Sequence, residues 1–191
     1  MNQKYNLNEI FFSIQGEGHW TGYPVIFVRF AMCNLSCPWC DTDFSLKLQL
    51  TKEAIYGITR HYPCKRIILT GGEPSLQLPL NQKGNSNFVQ FFKNRGYKVH
   101  IESNGTKELP KNLDWVTISP KENWIIKGGD ELKVIYQGQD LGQYDSTDFK
   151  YYYLQPCDIK GQINFAETIK KVKEGNKWLL SIQVQKILKI K

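Results

Sequence analysis

Three of the five cysteines in this chain of 191 residues fall within eight positions, in Cys33-Asn-Leu-Ser-Cys37-Pro-Trp-Cys40, and Asp41, Thr42 and Asp43 follow at once. Thiols this close can form disulfides, bind zinc or hold an iron-sulfur cluster. The first residues, Met-Asn-Gln-Lys-Tyr, lack the apolar core of a signal peptide, and an odd cysteine count without one favours metal or catalytic use over disulfides. Zinc needs four ligands from paired knuckles, yet the histidines are His19, His61 and His100, none paired at ligand spacing. Iron-sulfur clusters usually take four cysteines, so three would leave one iron open to chemistry. The C-x3-C-x2-C spacing alone does not decide between the two metals.

Other chemically able residues gather in short polar or glycine-rich clusters. They are Gln15-Gly16-Glu17-Gly18, Arg29 just before the cysteines, Thr70-Gly71-Gly72-Glu73, Glu102-Ser103-Asn104-Gly105, Ser119-Pro120-Lys121 and Gln155-Pro156-Cys157-Asp158. Each follows an apolar run that reads as a strand, and the elements that must position them follow from the same pattern. Strands are expected over residues 8–13, 25–30, 66–70, 97–102, 115–118, 132–136, 150–154 and 178–184. Helices are expected over 51–62, with Ala54, Ile55, Ile58 and Tyr62 on one face, over 87–95 and over 163–174. Thr51 is a good N-terminal cap, Pro63 a stop, and Gly96 and Gly175 good C-terminal ends. Gly128-Gly129 reads as a turn and residues 81–87 as a mobile surface loop. Strands alternating with helices give an α/β fold with a mostly parallel sheet, in which all six clusters would share one rim. Active sites built from strand-to-helix loops have that geometry.

The length suits a single domain over residues 1–191, and 41% hydrophobic content is ordinary for one with a real core. No apolar run is long enough to span a bilayer, which implies a cytoplasmic protein with reduced thiols and no membrane partner. The net charge of +7 comes from scattered lysine. Arginine occurs only at Arg29, Arg60, Arg66 and Arg95, and Lys170, Lys171 and Lys173 belong to the exposed face of an amphipathic helix, so no nucleic-acid partner is expected.

With C-x3-C-x2-C after an early strand and Gly71-Gly72-Glu73-Pro74 after a later one, the chain resembles the radical S-adenosylmethionine enzymes. Within them, residues 13–18, Cys37-Pro-Trp-Cys40-Asp41-Thr42, Ser119-Pro120-Lys121, Glu131-Leu132-Lys133 and Gln155-Pro156 look like the 7-carboxy-7-deazaguanine synthases, over almost the whole chain. The cysteine spacing is shared with glycyl-radical activases, whereas Gln-Gly-Glu-Gly together with Cys-Asp-Thr is much more specific. A basic, zinc-bearing nucleic-acid module is the non-enzymatic alternative.

The resemblance implies a shortened, partial TIM-like β/α barrel, usually a homodimer, with a 4Fe-4S cluster on Cys33, Cys37 and Cys40 and S-adenosylmethionine on the open iron. A flavodoxin- or ferredoxin-like donor would reduce the cluster. The implied reaction is of the carbon-nitrogen lyase type. A 5′-deoxyadenosyl radical takes a hydrogen from 6-carboxy-5,6,7,8-tetrahydropterin, the ring contracts, ammonia leaves, and 7-carboxy-7-deazaguanine results, on the route to queuosine or related compounds.

Carried over residue by residue, Gly71 and Gly72 would admit the methionine end of S-adenosylmethionine. Ser119, Pro120, Lys121, Gln155, Pro156, Cys157 and Asp158 would complete that pocket, with Glu102 on the ribose. Ile14, Gln15, Gly16 and Glu17 would read the pterin edge, Thr70 would add a contact, and Arg29 would fork onto the substrate carboxylate. Thr42 would coordinate Mg2+, and Lys191 would touch substrate through its backbone or carboxylate. Gln185 stands where family members often carry histidine, and it cannot carry a proton near neutral pH. Cys64 and Cys157 match no ligand pattern and read as free thiols.

Overall fold

Residues 3–159 and 161–191 are described by a computed structural model. The first apolar run pairs with the second as a hairpin: β1 (Lys4–Ile14) lies antiparallel to β2 (Pro24–Phe30), with Ile14 opposite Pro24. β3 (Leu48–Thr51) adds to the other edge of β1 and runs straight into α1 (Lys52–Thr59), whose first turn is capped by Thr51 Oγ1 accepting the Ala54 N–H at 3.3 Å. There follow β4 (Arg66–Gly71), α2 (Asn87–Lys93), β5 (Lys98–Ser103), β6 (Trp115–Ile118), β7 (Gly128–Tyr136) and β8 (Asp148–Pro156). A short hairpin, β9 (Asp158–Ile159) and β10 (Gln162–Ile163), leads to α3 (Phe165–Lys173), β11 (Trp178–Leu180) and α4 (Val184–Leu188).

Nine strands form one sheet in the order β11-β8-β7-β6-β5-β4-β2-β1-β3, parallel from β11 through β2. This is the mostly parallel α/β sheet expected. No ladder joins β3 to β11 among the described residues. The sheet curls instead until loops meet: the Gly18 N–H donates to Ser181 Oγ and the Val184 N–H to the Gly16 carbonyl, each at 3.0 Å. A barrel left open between strands is thus bridged by the turn after β1 and the segment after β11.

Alternation along the strands decides where the core sits and where chemistry can happen. One face is apolar: Val28, Phe30, Leu69 and Ile101 pack under Ile55 of α1 and Phe88 and Phe92 of α2, and Ile118, Leu132, Val134 and Leu154 continue the layer towards α3. The other face holds a small apolar group, Phe11, Val25, Phe27 and Ile68, and then a polar row: Thr70, His100, Glu102, Thr117, Glu131, Lys133 and Gln155. Parallel strands covered on both sides normally read as continuous apolar runs. Polar residues at every second position therefore mark an interior built to hold something other than core.

Several expectations need correction. Because β1 is antiparallel to the rest, Gln15-Gly16-Glu17-Gly18 leaves it at the N-terminal end of the parallel strands and not on the shared rim. The turn folds inward as a plug: His19 stacks on Trp115 with centroids 4.8 Å apart and lies tilted against Tyr151 at 4.2 Å, and Trp20 sits against His100 and Trp115. The final strand stops at Leu180, and α4 takes up the residues beyond, pulled over by the Gly16 contact. Gly128 and Gly129 lie inside β7, where neighbouring strands crowd them: a Cβ on Gly129 would come 3.1 Å from the Phe149 ring. α1 ends at Thr59 and buries Ile55 and Thr59 while Ile58 is exposed. Residues 81–87 are tied down, with Asn81 Oδ1 accepting the N–H groups of Lys83 and Asn85 and Leu80 bridged to Ser86. Among the described residues no helix is long and apolar enough to cross a membrane.

Candidate active site

The polar row, the inward turn and the cysteine loop enclose a cavity of about 520 Å3, within the range of small-molecule sites. Its floor is a hydrogen-bonded network. Glu102 on β5 accepts the Gln15 amide at Oε1 (2.8 Å) and the Thr70 hydroxyl at Oε2 (2.9 Å). Glu17 accepts the Lys133 ammonium at Oε2 (2.5 Å) and, at Oε1, the amides of Gln183 (2.9 Å) and Gln185 (2.8 Å). Burial works to raise the Glu17 carboxyl, but the charge and hydrogen bond of Lys133, with the two amides, outweigh it and bring it down to about 2.

The rim carries the cysteines. Cys33, Cys37 and Cys40 all lie on the cavity wall as free thiols, the first two half-buried and Cys40 exposed. Burial pushes the Cys37 thiol up, opposed by the nearby Lys121 ammonium, which is itself anchored on Ser119 Oγ at 2.9 Å. Among the described residues no three Cys, His, Asp or Glu side chains converge as they would around one ion. Thr42 lines the cavity beside Asp41, with Oγ1 donating to Asp41 Oδ1 at 3.5 Å.

Behind the cysteine loop the Gly-Gly-Glu-Pro segment locks two strand ends together. The Gly72 N–H donates to the Phe30 carbonyl at 3.0 Å and the Glu73 N–H to the Met32 carbonyl at 2.9 Å. Glu73, 0% exposed, accepts Ser103 Oγ (2.9 Å), the Asn104 N–H (2.7 Å) and the Ser75 N–H (3.0 Å). It fastens the end of β4 to the loop after β5.

The C-terminal segment covers the remaining side. Lys186 bridges Asp41 in the cysteine loop (2.6 Å) and Asp158 after β8 (3.4 Å). Lys191 pairs with Glu9 through Nζ at 2.5 Å, and its carbonyl accepts the Ser13 hydroxyl. Glu9 also holds Arg29 through Nε at 3.1 Å, and no acceptor engages the terminal guanidinium nitrogens among the described residues.

Of the residues expected at the site, Ile14, Gln15, Gly16, Glu17, Arg29, Cys33, Cys37, Cys40, Thr42, Thr70, Gly71, Gly72, Ser119, Lys121, Gln155 and Lys191 come together on this cavity, as does Glu102. Pro120, Pro156, Cys157 and Asp158 are not on its wall. Cys157 is buried with its sulfur accepting the Gln137 amide at 3.5 Å, and Asp158 faces Lys186. Sequence reasoning named Lys133 and Glu73 within motifs without giving either a role, and passed over Gln183 and Lys186. The alternation of Glu131-Leu132-Lys133 was the available signal for the first; the last two act through contacts with no local signature.

Glu131, 2% exposed, lies under the floor and accepts the His19 N–H at 3.0 Å. Burial pushes its carboxyl up to about 7, despite the attraction of Lys133. The folded chain then holds a proton that the unfolded chain releases near the ordinary 4.5, so this group's contribution to stability falls as pH rises between those values. Through it the protein is expected to lose up to about 3 kcal/mol over that window. Glu131→Gln should remove that slope, so melting temperatures of variant and parent should diverge as pH rises from 5 to about 7.5; parallel curves would refute the assignment.

No family model matches the chain. Curated relatives do. A 7-carboxy-7-deazaguanine synthase of Bacteroides thetaiotaomicron is 41% identical over 189 residues, covering 97% of this chain and 98% of that one. The same enzyme of Neisseria meningitidis is 36% identical, covering 97% and 93%. Among solved structures, the crystal structure of QueE from Escherichia coli superposes with a TM-score of 0.76 at 25% identity, covering 95% of this chain and 94% of that one.

Proposed function

The chain belongs to the 7-carboxy-7-deazaguanine synthase family, and from that premise we propose that it converts 6-carboxy-5,6,7,8-tetrahydropterin to 7-carboxy-7-deazaguanine at this cavity, as a lyase of queuosine biosynthesis. The observation that carries the reading is one cavity with a hydrogen-bonding floor and a wall of three free thiols. A 4Fe-4S cluster on Cys33, Cys37 and Cys40 suits three free thiols on one wall of the cavity, because such clusters are held by cysteine thiolates and three of them leave one iron open. S-adenosylmethionine would lie against Gly72, Ser119, Lys121 and Gln155, and a Mg2+ ion would take the Thr42 hydroxyl oxygen. Cluster and S-adenosylmethionine together supply one-electron chemistry, the abstraction of a hydrogen atom from the substrate.

The chain's own residues bind, orient and exclude water. Gln15 and Glu17 offer acceptors to the amino-pyrimidinone edge of the pterin, and Thr70 adds a hydroxyl. Arg29, already steadied by Glu9, presents its terminal nitrogens to the substrate carboxylate. Lys191 and α4 close the outer side. Gln185 holds Glu17 and moves no proton.

Two partners belong to the same proposal. A second copy would cover the open edge of β11 and its exposed neighbours Leu179, Leu180, Phe165 and Ile169. A small reducing protein would reach the exposed Cys40 side of the loop. Free thiols throughout support a cytoplasmic location.

The test is anaerobic reconstitution with iron and sulfide, followed by S-adenosylmethionine, reductant, Mg2+ and the carboxy-tetrahydropterin, with products read by mass. Release of ammonia and 7-carboxy-7-deazaguanine is expected. An intact cluster without a deazapurine product would overturn the assignment, and bound zinc with no iron would favour the non-enzymatic alternative.

A further inference from the structure

Lys133 is the buried cation to which the proposed chemistry gives no task. β7 delivers its side chain, 7% exposed, to the cavity floor, where Nζ lies 2.5 Å from Glu17 Oε2 and 4.0 Å from Glu102 Oε1. No other acceptor shares the ammonium among the described residues. Its two partners come from different places, Glu17 from the turn after β1 and Glu102 from the middle of the parallel sheet. Each carries half of the floor: Glu17 holds Gln183 and Gln185, and Glu102 holds Gln15 and Thr70. The side chains assigned to the pterin edge are therefore either bonded to Lys133 or one bond removed from it.

We infer that Lys133 is a positioning residue for substrate recognition: it aims the Glu17 carboxylate, and braces Glu102 behind Gln15 and Thr70, so that Glu17 accepts the N–H donors of a 2-amino-4-oxopyrimidine ring. The inference rests on the substrate reading above. Its electrostatics are those of a single cation among three acids. Burial alone would lower the Lys133 ammonium, but Glu17, Glu102 and Glu131 raise it well above the ordinary lysine range, so it stays charged across the working pH. The other cation facing this group, Lys121 after β6, is anchored on Ser119 beside Cys37. Gln183 and Gln185, from the C-terminal segment, carry no charge. Without Lys133 little offsets the burial of Glu17, and its carboxyl would rise towards the range that Glu131 already occupies, so that Glu17 itself would take up a proton near neutrality. A protonated carboxyl donates where the ring needs an acceptor, so recognition fails even if the fold survives.

The experiment measures pterin affinity by fluorescence titration of the purified protein, together with kcat/KM of the reconstituted enzyme, between about pH 5 and pH 9. Lys133→Met is expected to weaken pterin binding at pH 7 by about 30-fold or more and to bring into this window an acid limb that the parent, with its Glu17 carboxyl held far below it, does not show. Lys133→Arg keeps the charge and should stay within about tenfold of the parent, with no acid limb inside the window. In a Glu17→Gln background, Lys133→Met should add less than about threefold, because the residue acts through that carboxylate. A Lys133→Met profile with no acid limb above pH 5, or equal losses in the Met and Arg variants, would overturn the role. Should the Met variant not fold, the Arg variant decides: a loss as full as that of Glu17→Gln would overturn it. Parent protein that binds no pterin at any pH would overturn the substrate reading together with this one, whereas the variant differences bear on Lys133 alone.

Discussion

Cys37→Ala is expected to lose 7-carboxy-7-deazaguanine formation by at least about a thousandfold, because the reaction without its cofactor chemistry runs slower than enzymic rates by about a millionfold or more. The fold should remain. Cys37 is half-buried, its side chain makes no hydrogen bond among the described residues, and its loop is held by other contacts: the Met32 N–H to the Phe44 carbonyl at 2.9 Å and Lys186 to Asp41. Truncation at such a position costs under about 1 kcal/mol. The two remaining cysteines cannot stand in. Cys64 donates its thiol to the Pro24 carbonyl at 3.1 Å, beside the start of β2, and Cys157 is buried against Gln137. Iron content, visible absorbance and product mass check the expectation together, with Cys64→Ala as the control that should keep all three. A Cys37→Ala protein with the parent's absorbance and product yield would sink the cluster assignment.

Much of the sheet was legible because its strands are short apolar runs ended by glycine or polar punctuation, and Trp115–Ile118 falls on the expected residues. The site was legible only where residues end or follow a strand in the chain. Thr70 and Arg29 stand next to last in their strands and the cysteines follow β2, and all of them line one cavity. The reading failed where direction mattered: nothing in Ile10-Phe11-Phe12 says that β1 runs against its neighbours, and that reversal turns Gln15 to Gly18 from a rim into a floor. It also stopped at strand ends. Had the strands been divided by parity, His100 and Glu102, Trp115 and Thr117, and Glu131 and Lys133 would have stood out as an inward polar face. The C-terminal segment was beyond reach for another reason. Ile182 and Val184 look like strand residues, but only three residues of that run find a partner, and α4 exists because Gly16, Glu17 and Asp41 hold it from far along the chain.

The glycines before Glu73 show how a residue can be recognised for one reason and required for another. Gly71 and Gly72 were expected to make room for a ligand, but their own backbone neighbours already forbid a side chain. A Cβ on Gly72 would sit 1.9 Å from the Met32 carbonyl oxygen, 2.4 Å from its carbon and 3.0 Å from the Cys33 nitrogen. These are backbone atoms at the entrance to the cysteine loop, and Met32 is already held at φ +73, so no rotamer change can relieve the contact. Gly72→Ala must therefore separate β4 from the loop, breaking the bonds to Phe30 and Met32 and loosening the hold of Glu73 on Ser103 and Asn104. The expected cost is about 3 kcal/mol or more of stability, and since a displacement of about 1 Å near the chemistry can cost a hundredfold, activity should fall by at least that factor. Gly57→Ala supplies the contrast. That glycine lies within α1 with nothing within 4 Å of a Cβ, and alanine there should stabilise by about 0.5–1 kcal/mol with activity unchanged. Thermal melts, cluster loading and product yield of the two variants decide it. Equal behaviour of both would mean that the loop tolerates the displacement and that the close approach of β4 to Met32 does not position the thiols.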